Sequence, residues 1–262
     1  MVKSLTIERI FMDKEERVKV FKSDTVDYHR AFQVFLDHTD QKLKAKEWLE
    51  QCIQKLPSRR VYIDAGAGNG KVTAWLTDAF ERTIAIEPNE SLRKELAAVC
   101  PKAETFSETI LEAQIKSPGD FVLASHVFYY IDGALWLENL ERLASWLAPF
   151  GRLVVIIQNH KTDCMQMLRH FFRHSFNLSD LAGQFKSKFG RHYHGAMETV
   201  PSYVTTTDKA AAYTVAEFMM NLLPMKAPPA RKELEDYIEN QFTSNGSYRF
   251  SCHQDFLEIS LK

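Results

Sequence analysis

Val61-Tyr62-Ile63-Asp64-Ala65-Gly66-Ala67-Gly68-Asn69-Gly70 places glycines at 66, 68 and 70 directly after a β-branched and aromatic run, Arg60 to Asp64. Such side chains favour an extended strand, and glycine then permits both a sharp turn and a close approach of backbone to ligand. A helical pattern resumes from Lys71 to Ala79, so the unit reads as strand, turn, helix.

Outward from this unit, strand and helix patterns alternate. Arg82 to Glu87 reads as a second strand, Ser91 to Val99 as a helix, Ala103 to Phe106 as a short third strand and Phe121 to Ser125 as a fourth. Leu135 to Leu147 reads as a helix, and Arg152 to Gln158 as a fifth strand apolar enough to be buried on both faces. Pro149 and Gly151 punctuate the turn before it. Alternation of this kind builds a parallel sheet covered by helices on both sides. Further on, Lys161 to Phe176 reads as a helix, Met197 to Thr205 as a strand and Val215 to Leu223 as a helix. Ala230 to Phe242 follows Pro228-Pro229, where proline suits a helix start, and Tyr248 to Ser260 alternates as a closing strand.

Towards the N-terminus, Phe32, Phe35, Leu36, Leu43, Trp48, Leu49, Ile53 and Leu56 recur at helical spacing, interrupted near Asp37 to Asp40. Two helices separated by a turn are predicted over Thr25 to Leu56. Residues 1 to 22 are highly charged and read as a flexible leader or a lid. No internal repeat, low-complexity tract or linker divides the chain. Residues 1–56 are therefore expected to form a lid and helical cap within the same domain as a core over residues 57–262.

With 262 residues, 45% hydrophobic and 12% aromatic, the chain can bury one large α/β core. Its 33 basic and 34 acidic residues are intermixed, giving a net charge of −1, so no global field draws it to nucleic acid or an anionic membrane. The charged N-terminus lacks the apolar core of a signal peptide, and no stretch approaches a membrane span. Cys52, Cys100, Cys164 and Cys252 are widely separated and are expected as reduced thiols in a cytoplasmic protein. His192 and His194 alternate but have no clear carboxylate or Cys partner nearby, so no metal is expected. The oligomeric state is left open, a monomer being compatible.

The loop spacing is GxGxG, whereas a dinucleotide fingerprint places its third glycine one position later. Asp64 would repel a pyrophosphate but suits the cationic end of an amino acid. Glu87 ends the second strand, 17 residues beyond Gly70, where a carboxylate can accept hydrogen bonds from both ribose hydroxyls. A nucleoside without a phosphate is the inference.

These residues resemble the class I S-adenosylmethionine-dependent methyltransferases, over roughly residues 60 to 160. The resemblance implies a Rossmann-like α/β fold with a mostly parallel seven-stranded sheet, helices on both faces and an N-terminal helical cap. It implies S-adenosylmethionine as cofactor, with Asp64, Ala65, Gly66 and Gly68 beside its amino acid part, Glu87 on its ribose, Glu108, Thr109 or Ile110 near the adenine, and Ser125 at the fourth strand's end.

That strand runs into Ala124-Ser125-His126-Val127-Phe128-Tyr129-Tyr130, and ligands of open α/β sheets bind beyond carboxyl strand ends. The alternative is that Phe128, Tyr129 and Tyr130 belong to the core of the next helix. Here the chain is similar to the histamine N-methyltransferase-like family in three segments: Tyr28-His29-Arg30-Ala31-Phe32-Gln33-Val34-Phe35-Leu36-Asp37-His38-Thr39, the Tyr129-Tyr130 pair, and Ala227-Pro228-Pro229. The resemblance implies an aromatic acceptor pocket lined by Phe21, Tyr28, His126, Tyr129 and Tyr130, with the N-terminal segment closing over it. The family's acceptor-binding glutamate falls near Asp40 or Gln41, its C-terminal asparagine near Cys252 or His253, and a glutamine ahead of the tyrosine pair is replaced by His126. These departures argue against histamine and leave a small nitrogen acceptor.

Methyl transfer needs positioning and a deprotonated acceptor, and His126 is the candidate general base, with Tyr129 beside it. His38 is a second candidate near the acceptor, while Asp40 is expected to cap the following helix. Trp136 and Trp146 are assigned to packing. Three other readings remain: an O- or C-methyltransferase of a small metabolite, a macromolecule methyltransferase, for which no basic surface or added domain is visible, and a non-catalytic S-adenosylmethionine-binding protein.

Overall fold

Helix starts are written into the chain as short polar side chains that accept an otherwise orphaned backbone N–H. Thr25 accepts from Tyr28 N to begin α1 (Val26–His38), and Asn89 from Leu92 N to begin α4 (Glu90–Val99). Thr162 opens α6 (Asp163–Phe172), Asn177 α7 (Leu178–Phe189) and Asp208 α8 (Lys209–Met220) in the same way. Between them lie α2 (Gln41–Gln54), α3 (Thr73–Leu76) and α5 (Trp136–Ala144), with α9 (Arg231–Phe242) following the prolines at 228 and 229. These elements belong to a computed structural model that describes residues 16–21, 25–173, 176–223 and 225–262. Most of the predicted leader, residues 1–15 and 22, lies outside the described residues.

The strands are β1 (Val61–Ala65), β2 (Arg82–Ile86), β3 (Glu104–Phe106), β4 (Gly119–Ser125), β5 (Leu147–Gln158), β6 (Tyr193–Val200), β7 (Tyr203–Thr206), β8 (Thr243–Ser244), β9 (Ser247–Ser251) and β10 (Gln254–Leu261). Seven of them form one sheet in the order β3-β2-β1-β4-β5-β10-β6. The first five are mutually parallel, and β10 runs antiparallel to both β5 and β6. This is the mostly parallel, Rossmann-like sheet that the alternation predicts.

Alternate side chains of each strand point to opposite faces. Ile63, Ile84, Val122, Leu153 and Val155 pack with α5, α6, α7 and α8 on one side, whereas Tyr62, Phe121, Leu123, Val154 and Ile156 pack with Leu49 and Ile53 of α2 and Leu76 of α3 on the other. The central strands are thus buried on both faces, as their near-continuous apolar sequences require.

Four readings are corrected. The predicted strand from Met197 to Thr205 is two strands in two sheets: β6 edges the large sheet, while β7 joins β9 and β8 in a small three-stranded one. Tyr248 to Ser260 divides likewise into β9 and β10. Pro149 and Gly151 lie within β5 rather than ahead of it, where the pairing jumps from Gly119↔Leu147 to Phe121↔Arg152 and Phe150 takes a φ of 66°. Asp40 does not cap α2 with its side chain; its Oδ1 accepts from Tyr203 N at 2.7 Å, and Oδ2 pairs with Lys44. Among the described residues no helix is long and apolar enough to cross a membrane.

α1 lies across α8, with the Phe32 and Phe35 rings 5.5 and 5.6 Å from Phe218. The turn after α1 is tied to the small sheet through Thr39 Oγ1, which donates to Tyr203 O. The helical cap therefore roofs the carboxyl ends of the parallel strands.

Candidate active site

Under that roof lies a cavity of about 980 Å³, at the upper end of the range of small-molecule sites. Its wall is apolar and aromatic on the cap side and polar along the strand ends.

The glycine loop after β1 is held by Gly66 N and Ala67 N donating to Ile86 O at 2.8 and 3.0 Å. All three glycines have positive φ, for different reasons. A Cβ on Gly66 (φ +79°) would stand 2.4 Å from Val127, and one on Gly70 (φ +82°) 2.8 Å from Leu96, so both are packing glycines. A Cβ on Gly68 (φ +56°) would meet nothing within 4 Å. Gly68 is where the loop leaves room for a ligand.

Glu87 follows β2 and is 7% exposed. Its Oε2 accepts from Gly68 N and its Oε1 from Asn89 N, both at 2.8 Å, so the carboxylate is fixed with lone pairs to spare. Asp64 is 1% exposed, and Thr73 Oγ1 donates to its Oδ2 at 2.6 Å. Burial, reinforced by Glu87, outweighs that bond and pushes the Asp64 carboxyl up to about 6. Thr109, Ile110 and Ser125 also line the cavity. Ala65 lies buried in β1 and Glu108 is exposed; neither forms the wall.

At the end of β4 the backbone turns sharply, with His126 in the left-handed region at φ 58° and its N–H donating to Ile156 O. The side chains that follow form one chain of contacts. Gln254 Nε2 approaches His126 Nε2 at 2.7 Å, His126 Nδ1 lies 3.3 Å from Tyr129 Oη, and Gln158 N donates to the same Oη at 2.5 Å. An amide nitrogen only donates, so Nε2 of His126 is the acceptor and Nδ1 carries the proton, a tautomer assigned from the network. Burial holds the His126 imidazole well below its ordinary range, and therefore neutral. Its one lone pair is occupied by Gln254. In this arrangement His126 turns one ring nitrogen to Gln254 and the other to Tyr129.

Tyr28, Tyr129 and Tyr130 line the cavity, Tyr130 as an exposed rim residue. The other predicted acceptor residues do not. Phe21 is drawn away along α8, its N–H bound to Asn221 Oδ1 at 2.8 Å, and Lys19 N similarly to Glu217 Oε1. His38 sits in the last turn of α1, outside the wall. Cys252 is fully buried against Thr39 and Ser202, and His253 Nδ1 meets Ser202 at the junction of the two sheets. Both serve the junction rather than the cavity.

A family profile described as a methyltransferase domain matches residues 36–199. The chain belongs to that methyltransferase family. No curated protein matches its sequence. Solved structures share the fold of this methyltransferase at low identity. The YcgJ protein of Bacillus subtilis is 12% identical, with 82% of this chain and 97% of that one covered and a TM-score of 0.57. The N-methyltransferase NodS of Bradyrhizobium japonicum, in complex with S-adenosylhomocysteine, is 12% identical over 90% and 98% of the two chains, with a TM-score of 0.54. The plantazolicin methyltransferase BpumL, also in complex with S-adenosylhomocysteine, is 11% identical over 90% and 88%, with a TM-score of 0.56.

The methyltransferase site also contains residues that the sequence reading passed over. Lys42 of α2 and Lys71 after the glycine loop both line the cavity without a carboxylate partner among the described residues. Burial, and then the neighbouring Lys71 charge, lower the Lys42 ammonium to about 8. Gln158, 2% exposed at the end of β5, lines the floor beside Tyr129. Its position at a carboxyl strand end was the available signal; nothing in the pattern around Lys42 marked it.

Proposed function

We propose that the chain is an S-adenosylmethionine-dependent methyltransferase of a small molecule, acting on the nitrogen of an amine or imidazole-type acceptor. The observation that carries the cofactor is the joined pair of Gly68 and Glu87: an open glycine whose backbone N–H fixes a buried carboxylate at the rim of the next strand. Two buried carboxylates beside an open glycine fit a nucleoside bearing an amino acid better than a pyrophosphate, which they would repel. NodS and BpumL, which share the fold, each bind S-adenosylhomocysteine.

In this reading Glu87 holds the ribose hydroxyls, Asp64 the cationic amino group, and Thr109 and Ile110 border the adenine. Lys42 and Lys71 are the cations available for the cofactor's carboxylate. Bound there, S-adenosylmethionine supplies a methyl group on a sulfonium that already carries its leaving group. The chain's own residues then bind, orient and exclude water. Tyr28, Phe32 and Phe218 enclose the acceptor, and Tyr129, held by His126 and Gln158, orients it. With Gln254 against its Nε2, His126 acts in this reading by holding Tyr129 rather than by taking a proton, and the acceptor enters uncharged.

Nitrogen as the accepting atom rests on the likeness to the histamine N-methyltransferase-like family in the segments of α1, Tyr129-Tyr130 and Ala227-Pro228-Pro229, and NodS is itself an N-methyltransferase. Incubation with methyl-labelled S-adenosylmethionine and imidazoles, amines and phenols tests the reading. Label is expected in a nitrogen acceptor, and Tyr129→Phe is expected to lower kcat/KM by about 10-fold or more, roughly 1.4 kcal/mol. Label in phenols alone would make it an O-methyltransferase, and cofactor binding without turnover on any class a binding protein.

A further inference from the structure

The two edges of the large sheet are finished differently. At one end β3 is three residues long, and its Glu104 is tied to Arg82, so little backbone is left bare. At the other, β6 runs for eight residues, Tyr193-His194-Gly195-Ala196-Met197-Glu198-Thr199-Val200, and those from 194 to 199 are all exposed. Its register with β10 is continuous, and it carries no lysine, arginine or proline. Short length, bulges, lysine and proline are the devices that ordinarily keep an edge from taking another strand, and β6 has none of them. Hydrogen bonds beyond either end of the strand fix which way its backbone points. Lys262 N donates to His192 O at 3.0 Å and Cys252 N to Ser202 O at 2.9 Å, both continuing the register of β6 with β10. Hydrogen-bonded and non-hydrogen-bonded pairs alternate along antiparallel strands. The even-numbered residues of β6 therefore turn their N–H and C=O towards β10, while Tyr193, Gly195, Met197 and Thr199 turn theirs outward. Among the described residues no strand lies on that side.

We infer that β6 is the contact through which two copies of this chain pair, antiparallel about a two-fold axis at Ala196, joining their large sheets into one. In that register the strand is complementary to itself, so every favourable pair occurs twice. His194 stands opposite Glu198 of the second copy, a basic side chain against an acidic one, in a non-hydrogen-bonded pair with Cα atoms about 4.5 Å apart, where side chains come closest. Within its own chain Glu198 accepts from Trp48 Nε1 on Oε2, which leaves Oε1 for the imidazole. Ala196 meets Ala196 on the axis, small enough for the close approach. On the other face Met197 lies over Gly195 of the second copy, where a Cβ would meet nothing within 4 Å, and Tyr193 meets Thr199, an aromatic side chain against a β-branched one. The four outward-turned residues then exchange backbone hydrogen bonds with their opposites. No residue of β6 lines the cavity, so both sites stay open in the dimer.

Sedimentation velocity of the full chain between about 1 and 100 μM is expected to show a monomer–dimer equilibrium. Met197→Pro removes an outward N–H and leaves the bonds to β10 in place, and it is expected to weaken dimerisation at least about tenfold. Residue 194 is exposed and tests the register without touching the backbone: His194→Glu, set against Glu198 of the second copy, is expected to weaken the dimer about fivefold, whereas His194→Lys should hold or tighten it. Hydrogen exchange adds a backbone readout, since the amides of Gly195 and Met197 should be protected in the concentrated protein and exchange freely in the dilute one. A monomer at every concentration, a dimer unmoved by Met197→Pro, or a dimer that responds alike to both substitutions at 194 would overturn the inference.

Discussion

Asp64 is kept at the loop's edge at a cost to stability. Its carboxyl, ordinarily near 3.8, is pushed up to about 6 by burial, so between those values the folded chain binds more protons than the unfolded one. The contribution of Asp64 to stability is fullest below about pH 4 and is lost as pH rises through about 6. Asp64→Asn keeps an acceptor for Thr73 and removes that loss; thermal melts at pH 7 are expected to show a gain on the order of 1–3 kcal/mol in the ligand-free protein, while cofactor affinity drops. Lys42 predicts a second pH effect. With its ammonium lowered to about 8, the affinity for S-adenosylhomocysteine is expected to be flat between about pH 7 and 8 and to fall above it, and Lys42→Met should weaken that dependence in titrations from pH 7 to 10. Asp64 and Glu87 were legible because each ends an apolar strand. Lys42 was not, since one of five charged residues on a 14-residue helix looks solvated until the roof above it is known.

The glycine loop predicts contrasting behaviour for neighbouring substitutions. Gly66→Ala drives a Cβ into Val127 at 2.4 Å from a positive φ, and chemical denaturation is expected to show a loss above about 2 kcal/mol, partly restored by Val127→Ala. Gly68→Ala meets open space and should cost only about 1 kcal/mol of backbone strain, yet weaken cofactor binding, because the space it fills is the cavity. The five parallel strands were readable from local pattern, since β1, β2, β4 and the second half of β5 are apolar runs and the short β3 follows a helix pattern. The division of 197–205 and of 248–260 was not: Pro201-Ser202 and Cys252-His253 move the chain between two sheets without breaking its alternation, and only the pairing partners reveal it. α7 was missed although Leu178, Leu181 and Phe185 repeat at helical spacing behind an Asn177 cap, a signal that was present and unread.

At the scale of the whole molecule, cap, loop and strand ends enclose one cavity, so ligand binding and fold stability are linked. A ligand that binds only the folded chain adds about 2.7 kcal/mol at a hundred times its dissociation constant, and S-adenosylhomocysteine should raise the melting temperature accordingly. The acceptor side was less legible than the cofactor side, because its wall is assembled from α1, β5, α8 and the turn after β4, segments far apart in the chain. Phe21, Cys252 and His253 illustrate the difficulty: each lies near a wall residue in sequence or in the sheets, and each is held elsewhere by hydrogen bonds that no local pattern encodes. The most direct test is calorimetric titration of the protein with S-adenosylmethionine, NADH and ATP, repeated on Glu87→Ala. Selective binding of S-adenosylmethionine, weakened at least about tenfold by the substitution, is the predicted result; no binding, or equal binding of NADH or ATP, would contradict the assignment of this cavity.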